Sequence, residues 1–344
     1  MKQVKKTIRL LSPRSGAEIS LHTPIQRRFI RDEKRRADLD EQYIFKGDDM
    51  CLCDVEQSFP KPVPFLWEAD GEAVVEVSRD PAFQKVEFSE TGKNGAELVN
   101  FMIGTRYYWR VRQGTEVSPT RSFVTKNETP RLIAVDGNSN FRDLGGWTTE
   151  DGGVLRQGLL YRCSEFDDHI FITEKGARTL TEQLGIRTEI DLRFVALDDY
   201  VRVLKPYGIR SHFFWFQSYF YDLLDCQRRK TVADAFHIIC DPSNYPLCFH
   251  CMCGADRAGT LAILIEAACG VPMEQIILDY EFTSLSIWNI RSRNYYDFKE
   301  LIRELGGYAP GKPFSEAVRT FLRSIGVSEA ELVRLRRALV EYRK

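Results

Sequence analysis

One segment decides the fold of the second half of the chain: His250-Cys251-Met252-Cys253-Gly254-Ala255-Asp256-Arg257-Ala258-Gly259. It follows the apolar run Leu247-Cys248-Phe249, which is typical of a buried β-strand, and it precedes an apolar helix pattern over residues 258–269. A loop that leaves a strand and enters a helix directs successive backbone N–H groups towards one point, where the positive end of the helix dipole also lies. The segment therefore predicts an α/β domain with an anion-binding loop.

The side chains of this segment suit phosphate chemistry. Cys251 stands at the start of the loop, where positive potential favours the thiolate, the nucleophilic form of cysteine. Arg257 can bind two phosphoryl oxygens through its planar guanidinium. We name residues 251–257 the phosphate loop. The neighbours expected to surround a bound phosphate are His250, Met252, Cys253, Gly254, Ala255, Ala258 and Gly259.

A cysteine followed six residues later by an arginine also arises by chance in a chain with nine cysteines. Here Cys251 alone of the nine has arginine at that spacing. It is also preceded by His250, and glycines occupy positions 254 and 259. With a strand before and a helix after, the combination favours phosphate chemistry over coincidence.

Outward from the loop, strand patterns alternate with helix patterns from residue 131 to 344, which predicts an α/β domain over that range. The predicted buried strands are 132–135, 159–162, 188–192, 211–215 and 247–250. The predicted helices are 173–184, 232–239, 258–269, 272–283, 288–305, 314–325 and 328–342, the last opened by a capping box at Ser328. Arg291 and Arg293 fall in the helix predicted over 288–305, where a solvated face is favoured over binding of further phosphate groups.

The first 128 residues have a different pattern, with short alternating segments at 63–68, 73–78, 101–111 and 120–126 separated by turn residues. This pattern is typical of an all-β sandwich and resembles a fibronectin type III-like module. A helical insertion near residues 25–45 interrupts it. An amphipathic helix lying on the surface of the module is favoured over a specific docking element.

A second motif identifies a family. Asn140-Phe141-Arg142-Asp143-Leu144-Gly145-Gly146, followed by Leu159-Leu160-Tyr161-Arg162-Cys163-Ser164, resembles the opening of the bacterial tyrosine/serine phosphatase family. The resemblance spans about residues 131–342. It implies a cysteine-dependent tyrosine phosphatase-type domain, a phosphocysteine intermediate, and neither metal nor cofactor.

The resemblance also implies roles for individual residues. Cys251 would be the nucleophile and Arg257 the phosphate clamp. Asp256 is the first choice for the general acid and Asp191 the second, with Asp222 and Asp225 behind them. Arg142 is expected to pair with Asp143 near the site and is a candidate for substrate contact.

Three features of the sequence qualify what the resemblance implies. Ala255 stands where lipid-active members often have lysine, so a cation for an inositol-ring phosphate is missing. Ala258 replaces the usual Thr or Ser, whose hydroxyl helps the thiolate leave during hydrolysis of phosphocysteine, and Thr260 is displaced by two residues. Cys253 suggests redox capture of oxidised Cys251, but a packing role is favoured because side chains so close on a tight loop usually diverge.

The sequence thus predicts a phosphomonoester hydrolase, either a protein-tyrosine or a dual-specificity phosphatase. A phosphoinositide or inositol phosphate phosphatase and a phosphate-binding module with impaired turnover remain alternatives. A sulfurtransferase also places cysteine on a loop before a helix, but the Asn140 motif and His250 argue against it. The expected partners are a phosphorylated protein or a small phosphomonoester, with a docking or dimer contact open to the sandwich.

Composition excludes other classes. A formal net charge of −1 and 28% charged residues give no general attraction to nucleic acid or anionic membrane. No signal peptide or membrane segment is recognisable in the sequence, so a cytoplasmic protein with reduced thiols is expected. Cys51-x-Cys53 lacks a second cysteine or histidine pair at zinc spacing and is interpreted as structural.

Overall fold

The computed structural model describes residues 8–38, 55–194, 203–223, 226–288 and 290–342. It divides the chain into two units, Met1–Thr23 with Pro60–Thr129, and Pro24–Phe59 with Pro130–Lys344. Sequence and structure therefore both divide the chain near residue 129. They differ on the insertion near residues 25–45, whose described part belongs to the second unit rather than the first.

The first unit consists of strands, which pair in the orders β1-β3-β6 and β2-β9-β7-β4-β5, with β8 beside β7. Their bounds are β1 (Arg9–Ser12), β2 (Ala17–Ile19), β3 (Val63–Glu68), β4 (Glu72–Ser78), β5 (Phe88–Lys93), β6 (Gly95–Leu98), β7 (Arg106–Gln113), β8 (Glu116–Val117) and β9 (Arg121–Thr125). Alternate residues of β3 are buried and exposed, as expected of a strand with one face in a core.

The core of this unit combines side chains from both sheets. Phe65 and Trp67 of β3 lie in one buried cluster with Val75, Trp109 and Phe123 of the other sheet. The expected all-β sandwich is confirmed, whereas its likeness to fibronectin type III stays a prediction. The strand predicted over 101–111 begins only at Arg106, because residues 103–104 form a turn in which Gly104 has a φ of +60°.

The second unit contains a sheet in the order β10-β11-β13-β16-β14-β15. The four neighbouring strands β13, β16, β14 and β15 are parallel, so their carboxyl ends meet at one edge. The bounds are β10 (Arg131–Leu132), β11 (Arg142–Asp143), β13 (Leu160–Cys163), β14 (Thr188–Asp191), β15 (Arg210–Phe213) and β16 (Leu247–His250), with β12 (Val154–Leu155) and β17 (Val340–Glu341) forming a separate pair.

Helices surround this sheet. Their bounds are α1 (Pro24–Arg31), α2 (Glu33–Ala37), α3 (Glu174–Arg178) continued by a π-helical turn at Thr179–Gln183, α4 (Cys226–Ile239), α5 (Arg257–Cys269), α6 (Met273–Phe282), α7 (Tyr296–Gly306), α8 (Phe314–Ser324) and α9 (Glu329–Leu339). Short 3₁₀ segments lie at Lys205–Tyr207, Tyr219–Leu223, Pro242–Asn244 and Thr283–Leu285. The capping box predicted at Ser328 is confirmed, with Glu331 as its partner.

Helix α5 is the centre of the second core, since every residue after Arg257 is buried. A helix that is apolar on all sides lies inside a protein rather than on its surface. The phosphate loop is therefore joined at one end to an interior strand and at the other to an interior helix.

The helix predicted over residues 288–305 is wrong in its first part, because α7 begins at Tyr296. The Ser284 hydroxyl donates to the carbonyl of Arg291 at 3.0 Å and accepts from the N–H of the same residue at 2.9 Å. These side-chain bonds satisfy backbone groups that a helix would otherwise pair. Arg291 and Arg293 thus lie on a loop between α6 and α7.

Helices α1 and α2 pack on the second unit. Phe29 is buried and meets Phe282 of α6 edge-on, with ring centroids 5.8 Å apart. The same cluster includes Leu132, Leu285 and Ile290. The insertion is thus a docked element of the α/β unit, and its placement as a solvated helix on the first module is corrected by this apolar contact.

In the part of the chain that the structure describes, no helix combines the length and apolar character needed to cross a membrane.

Replacing Phe29 with alanine should loosen the second unit selectively. Loss of a buried phenylalanine costs about 3 kcal/mol or more, and here the loss would expose Phe282 and Leu285. We expect faster amide hydrogen exchange over residues 281–295, measured by mass spectrometry. Faster exchange confined to residues 63–125 would instead assign this helix to the sandwich.

Candidate active site

The phosphate loop lies between β16 and α5. His250 is the last residue of β16 and Arg257 is the first of α5, as the sequence predicted. Strand register places His250 beside Cys163 of β13 on one side and Asp191 of β14 on the other. The Cys251 side chain is near the end of this strand and is only 2% exposed.

The backbone carbonyls of the phosphate loop are engaged by donors from four places in the unit. The bonds are Glu165 N–H to Met252 O at 3.0 Å, Asn140 Nδ2 to Cys253 O at 3.0 Å, Arg162 Nη2 to Gly254 O at 2.6 Å and to Ala255 O at 3.2 Å, and Thr260 N–H to Asp256 O at 2.8 Å. In a trans peptide the C=O and N–H point in opposite directions. Holding the carbonyls on the outside therefore turns the N–H groups towards the inside of the loop.

These N–H groups are available to a ligand. Within the described residues, the backbone N–H groups of residues 253–256 donate to no protein acceptor, and the Arg257 guanidinium has no hydrogen-bond or ion-pair partner. Arg142, Arg162, Arg193 and Arg291, by contrast, are each paired with a carboxylate. The loop thus combines backbone donors that have no described acceptor with an arginine that has no described partner, and this combination suits a phosphate dianion.

Gly254 is required by the shape of this loop. Its φ is +66°, and a Cβ added there would lie 2.3 Å from the carbonyl oxygen of Cys163. Any other residue would be strained in the left-handed conformation and would also collide with β13. The predicted role of Gly254 in closing the loop follows from these two constraints.

Two buried arginines and one aspartate support the loop from behind. Arg142 Nε donates to Asp279 Oδ1 at 2.7 Å, and Arg162 Nη1 donates to Asp279 Oδ2 at 2.5 Å. Arg142 also donates to the backbone carbonyl of Asn140 at 3.2 Å, and the Asn140 side chain holds Cys253. The Asn140 motif and the phosphate loop are therefore one hydrogen-bonded assembly, and Asp279 is the residue that joins them.

The expected pair between Arg142 and Asp143 is wrong. Successive residues of a strand point to opposite faces, and Asp143 is bound instead by Arg131, with Nη1 and Oδ2 2.7 Å apart. Arg142 is buried and engaged by Asp279. A direct contact between Arg142 and substrate, which the sequence left open, has no support in this geometry.

A second buried carboxyl group, Glu266 of α5, was missed by sequence reasoning. Both of its oxygens are buried without a hydrogen-bond partner among the described residues. Burial first, and then the charge of Asp279, raise the pKa of Glu266 well above its usual range despite nearby Arg162 and Arg142. The neutral form of Glu266 is therefore favoured.

His250 is held by two carboxylates. Its Nε2 lies 2.9 Å from Glu189 Oε1, and its Nδ1 lies 4.0 Å from Asp191 Oδ1. Burial works against the charged ring, but Asp191 and Glu189 outweigh it and raise the pKa of His250. The raised pKa favours the imidazolium form of His250, the residue directly before Cys251. Glu189 was not singled out in the sequence, because a carboxylate in a strand pattern gives no sign of its partner.

Asp256, the first candidate for the general acid, is in an ion pair. Arg291 Nε lies 2.6 Å from Asp256 Oδ1, Arg291 Nη2 lies 2.9 Å from Oδ2, and the Tyr219 hydroxyl also donates to Oδ1. Burial would raise the pKa of Asp256, but Arg291 and Tyr219 outweigh burial and lower it. The free site thus holds Asp256 as a carboxylate.

Asp191, the second candidate, is more deeply buried. It accepts hydrogen bonds from the N–H and the guanidinium of Arg193, at distances of 2.8 to 3.1 Å. Burial opposes its charge, but His250 and Arg193 prevail and lower the pKa of Asp191. The position of Asp191 fits a residue that orients the His250 ring. Of the remaining candidates, the side chain of Asp222 and the whole of Asp225 lie outside the described part of the structure.

The side chains of Thr260 and Cys253 are not available to assist Cys251. The Thr260 hydroxyl accepts from the N–H of Tyr219 at 2.7 Å and donates to the Asp256 carbonyl at 2.9 Å, so its only proton is already used. Burial, followed by the charge of Cys251, raises the pKa of Cys253 to about 12, which disfavours its thiolate. Ala258 is buried and offers no hydroxyl.

Among the described residues, one set of side chains has ligand atoms close enough to hold a metal ion: Glu165, Asp168 and His169, within 4.8 Å of one another. Glu165 is already bound by Arg193 at 2.9 Å and by the His169 ring at 2.7 Å. These donors and acceptors satisfy each other, as ordinary ion pairs do. Cys51 and Cys53 lie outside the described residues.

Substituting alanine for Gly254 should open the phosphate loop, because the new methyl group would displace the Cys163 carbonyl. We expect affinity for inorganic phosphate, measured by calorimetry, to fall roughly tenfold or more. Gly306→Ala on α7 is the matched control, since its added methyl meets no neighbour within 4 Å. Equal affinity in the two variants would contradict the role of Gly254.

Comparison with known proteins agrees with this geometry. The chain matches the model of the tyrosine phosphatase family over residues 133–341, which is more than half of its length. No curated protein matches it. It is similar to the core catalytic domain of the PP-IP phosphatase SIW14 from S. cerevisiae in complex with citrate, at 19% identity over 44% of this chain and 79% of that chain, with a TM-score of 0.32.

It is also similar to P. aeruginosa TpbA in complex with pTyr, at 13% identity over 49% of this chain and 89% of that chain, with a TM-score of 0.31. By the extent of the family match, this chain belongs to the tyrosine phosphatase family and is a phosphatase.

Proposed function

We propose that the protein hydrolyses phosphotyrosine in proteins through a phosphocysteine intermediate on Cys251. The observation that carries this proposal is the arrangement of the phosphate loop: its carbonyls are bound on the outside, while the N–H groups of residues 253–256 and the Arg257 guanidinium have no partner among the residues that the structure describes. Such a loop stabilises negative charge on the equatorial oxygens of a phosphoryl group during transfer.

In the first step, the Cys251 thiolate attacks phosphorus, a P–S bond forms, and the P–O bond to the leaving oxygen breaks. Arg257 binds two of the phosphoryl oxygens. In the second step, water attacks phosphorus, the P–S bond breaks, and inorganic phosphate leaves with regeneration of the thiolate. We assign Asp256 as the general base that takes a proton from this water, because it is the carboxylate next to Arg257 on the loop and is 31% exposed at its side chain.

The same site argues for the substrate class. Ala255 is buried and carries no charge, so the loop lacks the lysine with which it could grip a second phosphate on an inositol ring. An aryl phosphate needs only one anion site and has a comparatively acidic leaving alcohol. Phosphotyrosine therefore suits the site better than inositol phosphates or phosphoinositides. Those two classes are the next substrates to test after phosphotyrosine.

Phosphate release from a phosphotyrosine peptide, in the presence of a chelator at pH ~6, tests this proposal. The wild-type chain should turn over steadily and Cys251→Ser should be inactive, because serine supplies no thiolate. Cys253→Ser is the matched control and should retain activity. Phosphate release by Cys251→Ser, or dependence of the wild type on added metal, would overturn the phosphocysteine mechanism.

Hydrolysis of the intermediate should be the slow step, because Ala258 has no hydroxyl and that of Thr260 is occupied. Rapid mixing with an aryl phosphate should give a burst of about one leaving group per chain before the steady rate. Ala258→Ser restores a hydroxyl at the start of α5 and should raise the steady rate by roughly tenfold, equivalent to about 1.4 kcal/mol. Absence of a burst in the wild type would show that the second step is already fast.

A further inference from the structure

Asp256 is gripped by Arg291 through two parallel hydrogen bonds, from Nε to Oδ1 at 2.6 Å and from Nη2 to Oδ2 at 2.9 Å. This two-point contact is the strongest geometry available to an arginine and a carboxylate, and it fixes the direction of both groups. Arg291 comes from the loop between α6 and α7, whereas Asp256 belongs to the phosphate loop. The pair therefore connects the acid–base residue to a separate element of the unit.

Arg291 is itself held in place. Its Nη1 donates to the carbonyl of Ile290 at 2.9 Å, and its N–H donates to the Ser284 hydroxyl at 2.9 Å. Its side chain is 13% exposed, less than that of Asp256 at 31%. A surface ion pair between mobile side chains contributes little, but this arginine is anchored by the backbone around it and presents a fixed positive charge to Asp256.

A second donor reaches the same carboxylate from another element. The Tyr219 hydroxyl donates to Asp256 Oδ1 and lies 2.8 Å from the Tyr280 hydroxyl. The backbone of Tyr219 has a φ of +51°, an uncommon value for a residue other than glycine, and its N–H is fixed by Thr260. The backbone holds the phenol against Asp256 at the cost of local strain.

The surroundings of Asp256 therefore favour its ionised form. The charged and titratable groups that face it are Arg291, Tyr219, Tyr280, and on its own loop Arg257 and Cys253. The two arginines attract the carboxylate, and the phenol donates to it. Burial opposes this effect but is outweighed, so the pKa of Asp256 lies below its ordinary value.

An ionised Asp256 affects the two chemical steps in opposite ways. It has no proton to give to a departing alcohol in the first step, so the alcohol must leave as an anion. A phenol with a pKa of about 10 leaves in this way far more readily than an aliphatic alcohol, which is a weaker acid. In the second step the carboxylate can take a proton from the attacking water while the P–S bond breaks, which suits a base.

We propose that Arg291, assisted by Tyr219, is a specificity-determining positioning residue: by fixing Asp256 as a carboxylate it directs the enzyme to aryl phosphates and against alkyl phosphates such as phosphoserine. This inference rests on the proposed function, because it assumes that Cys251 accepts the phosphoryl group. It goes beyond that function by assigning the selection of substrate to a residue that does not touch the phosphate.

The test compares Arg291→Met with wild type on one peptide sequence that carries phosphotyrosine or phosphoserine at the same position. The ratio of the two kcat/KM values is measured from pH 4.5 to 8. The effect of substrate-phosphate titration cancels in this ratio, because the second pKa is about 6 for both phosphates. We expect the tyrosine-to-serine ratio to fall in the variant by up to about tenfold for each unit by which the pKa of Asp256 rises. The fall should be largest where the pH exceeds the pKa of Asp256 in both proteins, and it should shrink as the pH is lowered, because Asp256 is then protonated in both.

Arg293→Met is the matched control. Arg293 lies on the same loop and also grips a carboxylate, with Nε 2.7 Å from Glu281 Oε1, but it does not contact Asp256. This variant should leave the ratio and its pH profile unchanged. Tyr219→Phe provides a second variant that keeps the ring and removes only the hydroxyl bond, and it should shift the ratio in the same direction by less.

An unchanged tyrosine-to-serine ratio in Arg291→Met would overturn the proposal. A fall on both peptides by the same factor at every pH counts as this result, since loss of structure alone would give it. This outcome can occur while Cys251→Ser is inactive and wild type is active, so failure here is distinguishable from failure of the proposed function. Adding Asp256→Asn to Arg291→Met should abolish the gain on phosphoserine, and persistence of the gain would also contradict the role of Asp256.

Discussion

The geometry of the site depends on the ion pairs that Asp279 makes with Arg142 and Arg162 in the interior of the second unit. Arg162 holds two carbonyls of the phosphate loop, and this places the loop N–H groups on the side of the ligand. Buried ion pairs of this kind are often replaceable by apolar residues without loss of stability. An apolar replacement could not hold the carbonyls, however, so the cluster is best explained by the shape of the loop rather than by stability.

The same cluster sets the electrostatic potential behind the loop. Burial opposes the charge of Asp279, but Arg142 and Arg162 lower its pKa, whereas burial raises the pKa of the nearby Glu266 and favours its neutral form. The two guanidinium groups thus share the ionised Asp279 close to the phosphate loop. On the other side of the loop, Asp191 and Glu189 raise the pKa of His250 and favour its charged form. Such fixed charges stabilise a phosphate dianion without reorganising during the reaction.

A feature of this structure can be predicted from the sequence when the residues that form it lie close together in the chain. The phosphate loop is local: a strand, a tight turn at Gly254 and a helix are all encoded within about twenty residues, and the structure has them. The partners of Arg142 and Asp256 are not local, since Asp279 lies 137 positions from Arg142 and Arg291 lies 35 from Asp256. The expected pairing of Arg142 with its neighbour failed because alternation along a strand separates the two side chains.

For the same reason, the packing of residues 24–38 on the second unit could not be predicted from the sequence. This packing is nevertheless relevant to the site. Arg293 binds Glu281 and also Glu33 of α2, and Ser292 donates to the carbonyl of Ala37. This part of the chain contacts the loop on which Arg291 lies. The family match begins only at residue 133, so the unit that contains the phosphate loop is larger than the domain that its motifs define. The insertion in the sandwich sequence is, in physical terms, a piece of the catalytic unit.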